Sequence, residues 1–389
     1  MNLILQPLRS LGLVILLMAA SSVAFSATIL SNGTGGGNWS SSAWVTTART
    51  GNIFTSNAST AVTGTGKAFL TEINIGSVIK TGVGTPIGTV ASITDNTHLT
   101  LTANAATTNS NIGYSFQGIG SGDAVQIQGG DIITIDIPVA ACISLSGANT
   151  LANPWKLVFT PGSQLTVNGS ATIGDPGHAG SIDMTNGGLL KVGSLATGVG
   201  GATLTPGTGT VEFTTGTSTI PLNFPNFNNL TVSGTAVLTA SQGLNISGNV
   251  VTDAGTTLNA GTFTHSIAGN LTNAGIFNGG PLGGTGTIDL NGSLDQTISN
   301  TNADPANHTV NITVDKPAGS LILNTDITVV NTLNMNSGNI ILNNNNLFLG
   351  INATTIGALN YTAGSIVGSG KFFRWVPNTA LGSFDPAGL

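Results

Sequence analysis

Charge is what this sequence has least of. Lys and Arg together number 9 and Asp and Glu 15 in 389 residues, so 6% of the chain is charged and the net charge is −6. A nucleic-acid partner requires clustered cations. The only close pair is Lys371 with Arg374, which reads as a capped last turn, so nucleic acid is excluded. Glutamate occurs only at Glu72 and Glu212, and helix-forming charged residues are scarce, so long amphipathic helices are not expected. Cys142 is the single cysteine, which rules out an intrachain disulfide framework. It lies in the apolar run 137–143 with no neighbouring histidine to activate it, and reads as a small buried hydrophobe.

Long apolar runs are also missing. The longest, residues 11–20, is too short to span a bilayer, which takes about 20 residues. It follows a short segment ending at Arg9 and precedes the small residues Ala24 and Ser26, the anatomy of a cleaved export signal over residues 1–26. The mature chain is therefore expected outside the cell or on its outer surface, with no membrane span.

Glycine, at 55 residues, together with Thr, Asn and Ser, fills the polar positions instead. That composition suits short strands and tight turns. One pattern recurs: an apolar residue, any residue, Gly, Asn or Ser, then an apolar residue. It is carried by Ile246 to Val250, Ile267 to Leu271 and Leu290 to Leu294, with glycines at Gly248, Gly269 and Gly292. Val167 to Ala171 and Val232 to Ala236 repeat it around Gly169 and Gly234. A period in the low twenties predicts a solenoid in which each turn stacks on the last. Inward positions would stack Ile, Val and Leu, and outward positions Thr, Ser and Asn. The asparagine run 343–346 fits either a side-chain amide ladder or a polar loop.

Residues 53–117 differ in texture. Four or five short alternating strands, separated by turn residues, predict a small barrel of its own inserted into the first coils. Ahead of it, Asn38, Trp39 and Trp44 read as a cap over the first coil, because an open end exposes core and strand edges. The competing reading is an aromatic platform for a sugar.

Asn38-Trp39-Ser40 with Trp44, Gly122-Asp123, Ala140-Ala141-Cys142, Asn229 to Val232 and Ser337 to Ile340 together resemble secreted β-helix repeat proteins of Bacteroidota-type bacteria. The inserted stretch is similar to small β modules of phage tail fibres and bacterial surface proteins. The first resemblance implies a large adhesin-like surface protein and export by type IX secretion. Such proteins usually end in a sorting domain, whereas this sequence stops at Leu389, which implies truncation or another mode of attachment.

Enzymes built on β-helices need convergent acids. Pectate-lyase chemistry takes clustered carboxylates for Ca²⁺ and a base, and polygalacturonase-type hydrolysis takes paired carboxylates. Here the acids are dispersed. Asn324-Thr325-Asp326 matches part of a polygalacturonase motif but runs into Ile327 and reads as a turn. Asp253, His265 and Asp289 could meet on adjacent coils if they stack one period apart. His98, His178 and His308 show no metal-ligand spacing.

The sequence therefore predicts an all-β fold, a parallel β-helix (β-solenoid) of roughly a dozen coils with an inserted small β-barrel-like domain. At about 4.8 Å per strand layer that makes a rod of roughly 55 Å. The expected divisions are the signal at 1–26, cap and first strand at 27–52, insertion at 53–117, repeats at 118–376 and a tail at 377–389. No catalytic, cofactor-binding or metal residue is assigned, and no cofactor. The expected function is a non-enzymatic secreted or cell-surface rod, structural or adhesive, with glycans or surface proteins as partners. The alternatives are a carbohydrate-active β-helix enzyme, lyase or hydrolase, and a passive spacer in a longer surface protein.

Overall fold

A computed structural model of the protein describes residues 27–376 except 41–42, 46, 67–68, 149–152, 280–285 and 303–309. The segment 1–26 expected to be an export signal and the tail at 377–389 lie outside the described residues. The chain is all-β, its one helix among the described residues being the four-residue turn Phe69–Glu72.

Each strand is short and alternates buried with partly exposed positions, as a half-buried strand must. Parallel pairing then wraps the chain around a three-sided coil. Trp155–Phe159 lies on one face, and the long strand Gln164–Ile173 covers the next two, its ladder register shifting between Val167 and Ser170 where it rounds the corner. The chain returns to the first face at Gly180–Asp183, which pairs in parallel with Trp155 to Val158. About ten such turns stack into a β-solenoid. Coil length varies around the repeat period. Asn226 pairs with Asn245, nineteen residues on, whereas Leu333 pairs with Leu359, twenty-six residues on.

One continuous apolar core runs up the inside. Its columns include Leu230 on Val250 on Leu271, and Ile246 on Ile267 on Leu290. The inside is not uniformly apolar, however. Thr252 and Asn273 are buried in register on the inner side, where Thr252 Oγ1 donates to Asn273 Oδ1 and Asn273 Nδ2 donates to Asn300 Oδ1 at 3.0 Å. Such a column survives burial because each polar group meets a partner in the next coil.

The repeat glycines occupy two different corners. Gly169 and Gly234 sit where the chain leaves one face, and Gly248, Gly269 and Gly292 at the preceding bend. At this second corner the reason for glycine is space rather than a left-handed backbone. A Cβ on Gly269 would lie 2.3 Å from the carbonyl carbon and oxygen of Gly248, and one on Gly292 would lie 2.1 Å from Ala268 O. Asparagines at this corner, Asn249 and Asn270 directly after Gly248 and Gly269 and Asn229 in the coil before them, tie the coils together. Asn229 Oδ1 accepts from Asn249 N–H, Asn249 Oδ1 from Asn270 N–H, and Asn270 Oδ1 from Thr297 N–H, all at 2.8–2.9 Å.

The first turn is split by the insertion. Thr28–Leu30 pairs with Ala124 to Gln126, and Gly36–Asn38 with Ile132 to Thr134. Between Asn38 and Ala124 the chain forms a closed barrel of six antiparallel strands with its own core, including Ile53, Phe69, Val90 and Phe116. Its first strand is Thr47–Thr55, so the boundary expected at 53 falls inside it. A break in the ladder between Ala48 and Asn52, with Gly51 at φ +64°, interrupts the alternation that would have marked this strand in the sequence. Trp39 and Trp44 close the solenoid's lower end. Both are 1% exposed and pack edge to face with ring centroids 4.9 Å apart, and Trp44 Nε1 donates to Trp39 O at 2.7 Å. Rings so buried are cap and not a sugar platform.

Candidate functional site

The residues singled out by sequence are mostly absorbed by the fold. Cys142 is fully buried and stacks on Val167, and burial pushes its thiol pKa up, away from reactivity. His265 is buried inside the coil, where Nε2–H donates to Ala260 O at 2.8 Å and Nδ1 accepts Leu244 N–H at 3.2 Å. Burial lowers its pKa, so the ring is neutral. Asp289 does not meet it. The register pairs His265 with Ile288 and Ser266 with Asp289, which puts Asp289 on the outer side of the same sheet. Asp253 is exposed at a different bend. Asp326 is a turn and ladder residue, accepting Asn346 N–H at 2.7 Å and Asn346 Nδ2 at 3.2 Å. The asparagine run is therefore a ladder step, extended by Asn346 Oδ1 accepting Lys371 N–H. Lys371 and Arg374 are exposed on the last described coil, and His308 lies outside the described residues.

Two histidines share a local device visible in sequence as Asp-x-x-His. His98 Nδ1 lies 3.0 Å from Asp95 on an exposed turn of the barrel. His178 Nδ1 lies 3.0 Å from Asp175 Oδ1, which also accepts the backbone N–H groups of Gly177 and His178 at 2.9 Å. The buried Asp175 thus locks a turn. No hydroxyl or thiol is hydrogen-bonded to the His178 ring among the described residues, whereas Thr97 Oγ1 lies 2.9 Å from His98 Nδ1 on the exposed turn. Nor, among the described residues, do three His, Cys, Asp or Glu side chains gather closely enough to hold a metal ion.

The most organised surface is the outer row of the face that carries Asn226–Phe227 and Thr287–Leu290. Strand register stacks Asn226, Asn245, Ser266, Asp289, Thr313, Asn334 and Asn360 in one column. Hydrogen bonds run along it. Asn245 Nδ2 donates to Asn226 Oδ1 at 3.1 Å, Asn334 Nδ2 to Thr313 Oγ1 at 2.9 Å, and Asn360 Nδ2 to Asn334 Oδ1 at 2.8 Å. The one carboxylate of the row, Asp289, has its pKa raised by burial and by the charge of Asp315. Beside the lower part of this row lies an open concavity of ≈ 360 Å³ whose polar lining is Asn226, Asn245, Ser247, Ser266 and Asn291, over a floor that includes Phe227 and Ile246. Amides and hydroxyls without a net charge can exchange hydrogen bonds with a neutral polyhydroxyl ligand, because each offers both donor and acceptor capacity.

The barrel is fixed to the rod. Arg49 Nη1 donates to Asp123 Oδ1 at 2.7 Å, Gly122 N–H donates to Thr71 O at 2.8 Å, and Ser121 Oγ donates to Leu70 O at 3.1 Å. No described helix is long and apolar enough to cross a membrane. No protein-family model matches this sequence, and no curated protein or solved structure matches it either.

Proposed function

We propose that the protein is a secreted or cell-surface, non-enzymatic rod that binds neutral glycans along the outer asparagine, serine and threonine row, with the inserted barrel held at its lower end as a rigid second module. The observation that carries this reading is the concavity beside Asn226, Asn245 and Ser266, whose amides and hydroxyls come from four successive coils. Export through a signal at residues 1–26 would place that surface outside the cell. The likeness to adhesin-like β-helix proteins of Bacteroidota-type bacteria, with type IX secretion as the route, is part of the same proposal.

The test is to incubate purified protein with a panel of neutral and acidic polysaccharides and follow both retention on the polymer and release of fragments. Retention on neutral polymers without fragments is expected. Release of fragments would replace this reading with the carbohydrate-active enzyme, and no retention on any polymer would leave the spacer.

A further inference from the structure

Lys316 is 2% exposed, inside the corner that follows the outer row, and is one turn beyond Gln296, itself 1% exposed. Its Nζ donates to Gly292 O at 2.7 Å and to Gln296 Oε1 at 2.6 Å. None of the ion pairs among the described residues involves it. Burial lowers the pKa of the ammonium, with Asp295 opposing the shift, so the neutral and nucleophilic amine is more accessible than on a solvated lysine. The amide it faces is equally fixed. Gln296 Oε1 also accepts Gly292 N–H at 2.9 Å, while Nε2 donates to Ile267 O at 2.8 Å and Gly269 O at 2.6 Å.

We propose that Lys316 and Gln296 condense into an intramolecular isopeptide bond that staples consecutive turns of the solenoid. The ammonium gives up a proton and the amine lone pair attacks Cδ of Gln296, forming the Nζ–Cδ bond. The carbonyl electron pair moves onto Oε1, where Gly292 N–H is already placed to stabilise it. Collapse breaks the Cδ–Nε2 bond, and Nε2 takes up both protons released by Nζ and leaves as ammonium, so that the chain loses the atoms of one ammonia and its positive charge. Nothing is oxidised or reduced, and no co-reactant is consumed.

Two features of the site favour this outcome over an inert hydrogen bond. The reacting groups are held together by packing, so the step is effectively unimolecular. The product is a neutral amide, which removes a buried charge that no carboxylate contacts among the described residues, Asp295 acting on it only at longer range. Ile267 O keeps Asn291 N–H as a donor at 3.2 Å after the nitrogen departs. The staple would also brace loosely packed turns, since an apolar void of ≈ 30 Å³ lies among Leu271, Phe277, Ile298 and Ile312.

Denaturing mass spectrometry and peptide mapping of the folded full chain test this. The expected result is a mass lower by one ammonia than the processed sequence requires, with a branched peptide joining Lys316 to Gln296. Lys316→Arg keeps a buried donor but cannot be converted, and is expected to recover the full mass. Should Lys316→Arg fail to fold, the wild-type peptide map decides alone. Recovery of linear peptides carrying unmodified Lys316 and Gln296 from folded protein, fresh and after prolonged storage, would overturn the proposal.

Discussion

Arg49 and Asp123, 74 positions apart, form an ion pair of 2.7 Å with both side chains 2% exposed. It joins the first barrel strand to the point where the solenoid resumes. Each partner is held further: Arg49 lies 5.1 Å over the Phe116 ring, and Asp123 Oδ2 accepts Gly120 N–H at 2.7 Å. Removing one member leaves the other buried without compensation, at a cost of about 3–5 kcal/mol. Arg49→Ala is therefore expected to shift the chemical-denaturation midpoint down by that equivalent and to open residues 117–123 to proteolysis. An unchanged midpoint would show that the junction holds without the pair.

The corner glycines divide by mechanism. Gly255 has φ +83° and nothing within 4 Å of the place a Cβ would take, whereas a Cβ on Gly269 would stand 2.3 Å from the Gly248 backbone. Gly255→Ala is expected to cost about 1 kcal/mol through backbone strain alone. Gly269→Ala should cost about 3 kcal/mol or more, because backbone of the preceding coil cannot yield as a side chain would. Equal losses in denaturant titrations would contradict the spatial argument.

His265 supplies a pH dependence of defined sign. Its folded pKa is lowered from 6.5 by burial, so the unfolded chain binds the proton first. Its contribution is fully present above about pH 6.5 and declines as pH falls from there through the folded pKa. His265→Leu should flatten that decline while losing about 1–3 kcal/mol at neutral pH from the unpartnered Leu244 N–H and Ala260 O. The measurement is unfolding free energy from pH 4 to 8 for both proteins.

Lys156 and Asp183 form a 2.6 Å ion pair, with side chains 39% and 21% exposed. The Lys156 ammonium and then the Thr185 hydroxyl hold the Asp183 pKa down at about 2. Its stabilisation is present above the ordinary value of 3.8 and is lost as pH falls from there through about 2. Because the pair is solvent-screened, Asp183→Asn should cost only about 0.5–1 kcal/mol at pH 7, and the variant's stability should fall less between pH 4 and 2.

Much of the architecture was legible in the sequence. The glycine-centred repeat, the Trp39 and Trp44 cap and the change of texture at the insertion each act locally, through alternation and turn chemistry. What stacks on what was not legible, because coil length varies. Counting 24 residues from His265 reaches Asp289, but the register sets Ile288 beside it, and a slip of one residue moves a side chain to the opposite side of a sheet. Arg49 with Asp123 and Lys316 with Gln296 are joined only through tertiary packing. The inward column Thr252, Asn273 and Asn300 defied an apolar reading because its hydrogen-bond partners lie in the next coil. The outer row was legible as neutral and polar, but its continuity emerges only from the pairing.

The most direct measurement compares two faces of the same rod. Asn226→Ala with Asn245→Ala removes the two amides of the outer row that line the concavity, while Thr231→Ala with Thr272→Ala alters an outer column on the adjoining face. Titrating both variants and the parent against a neutral polysaccharide retained by the parent should show at least about tenfold weaker binding for the asparagine pair, equivalent to about 1.4 kcal/mol, and parent-like binding for the threonine pair. Equal binding by all three proteins, or shortening of the polymer by the parent, would contradict a glycan-binding role for this row.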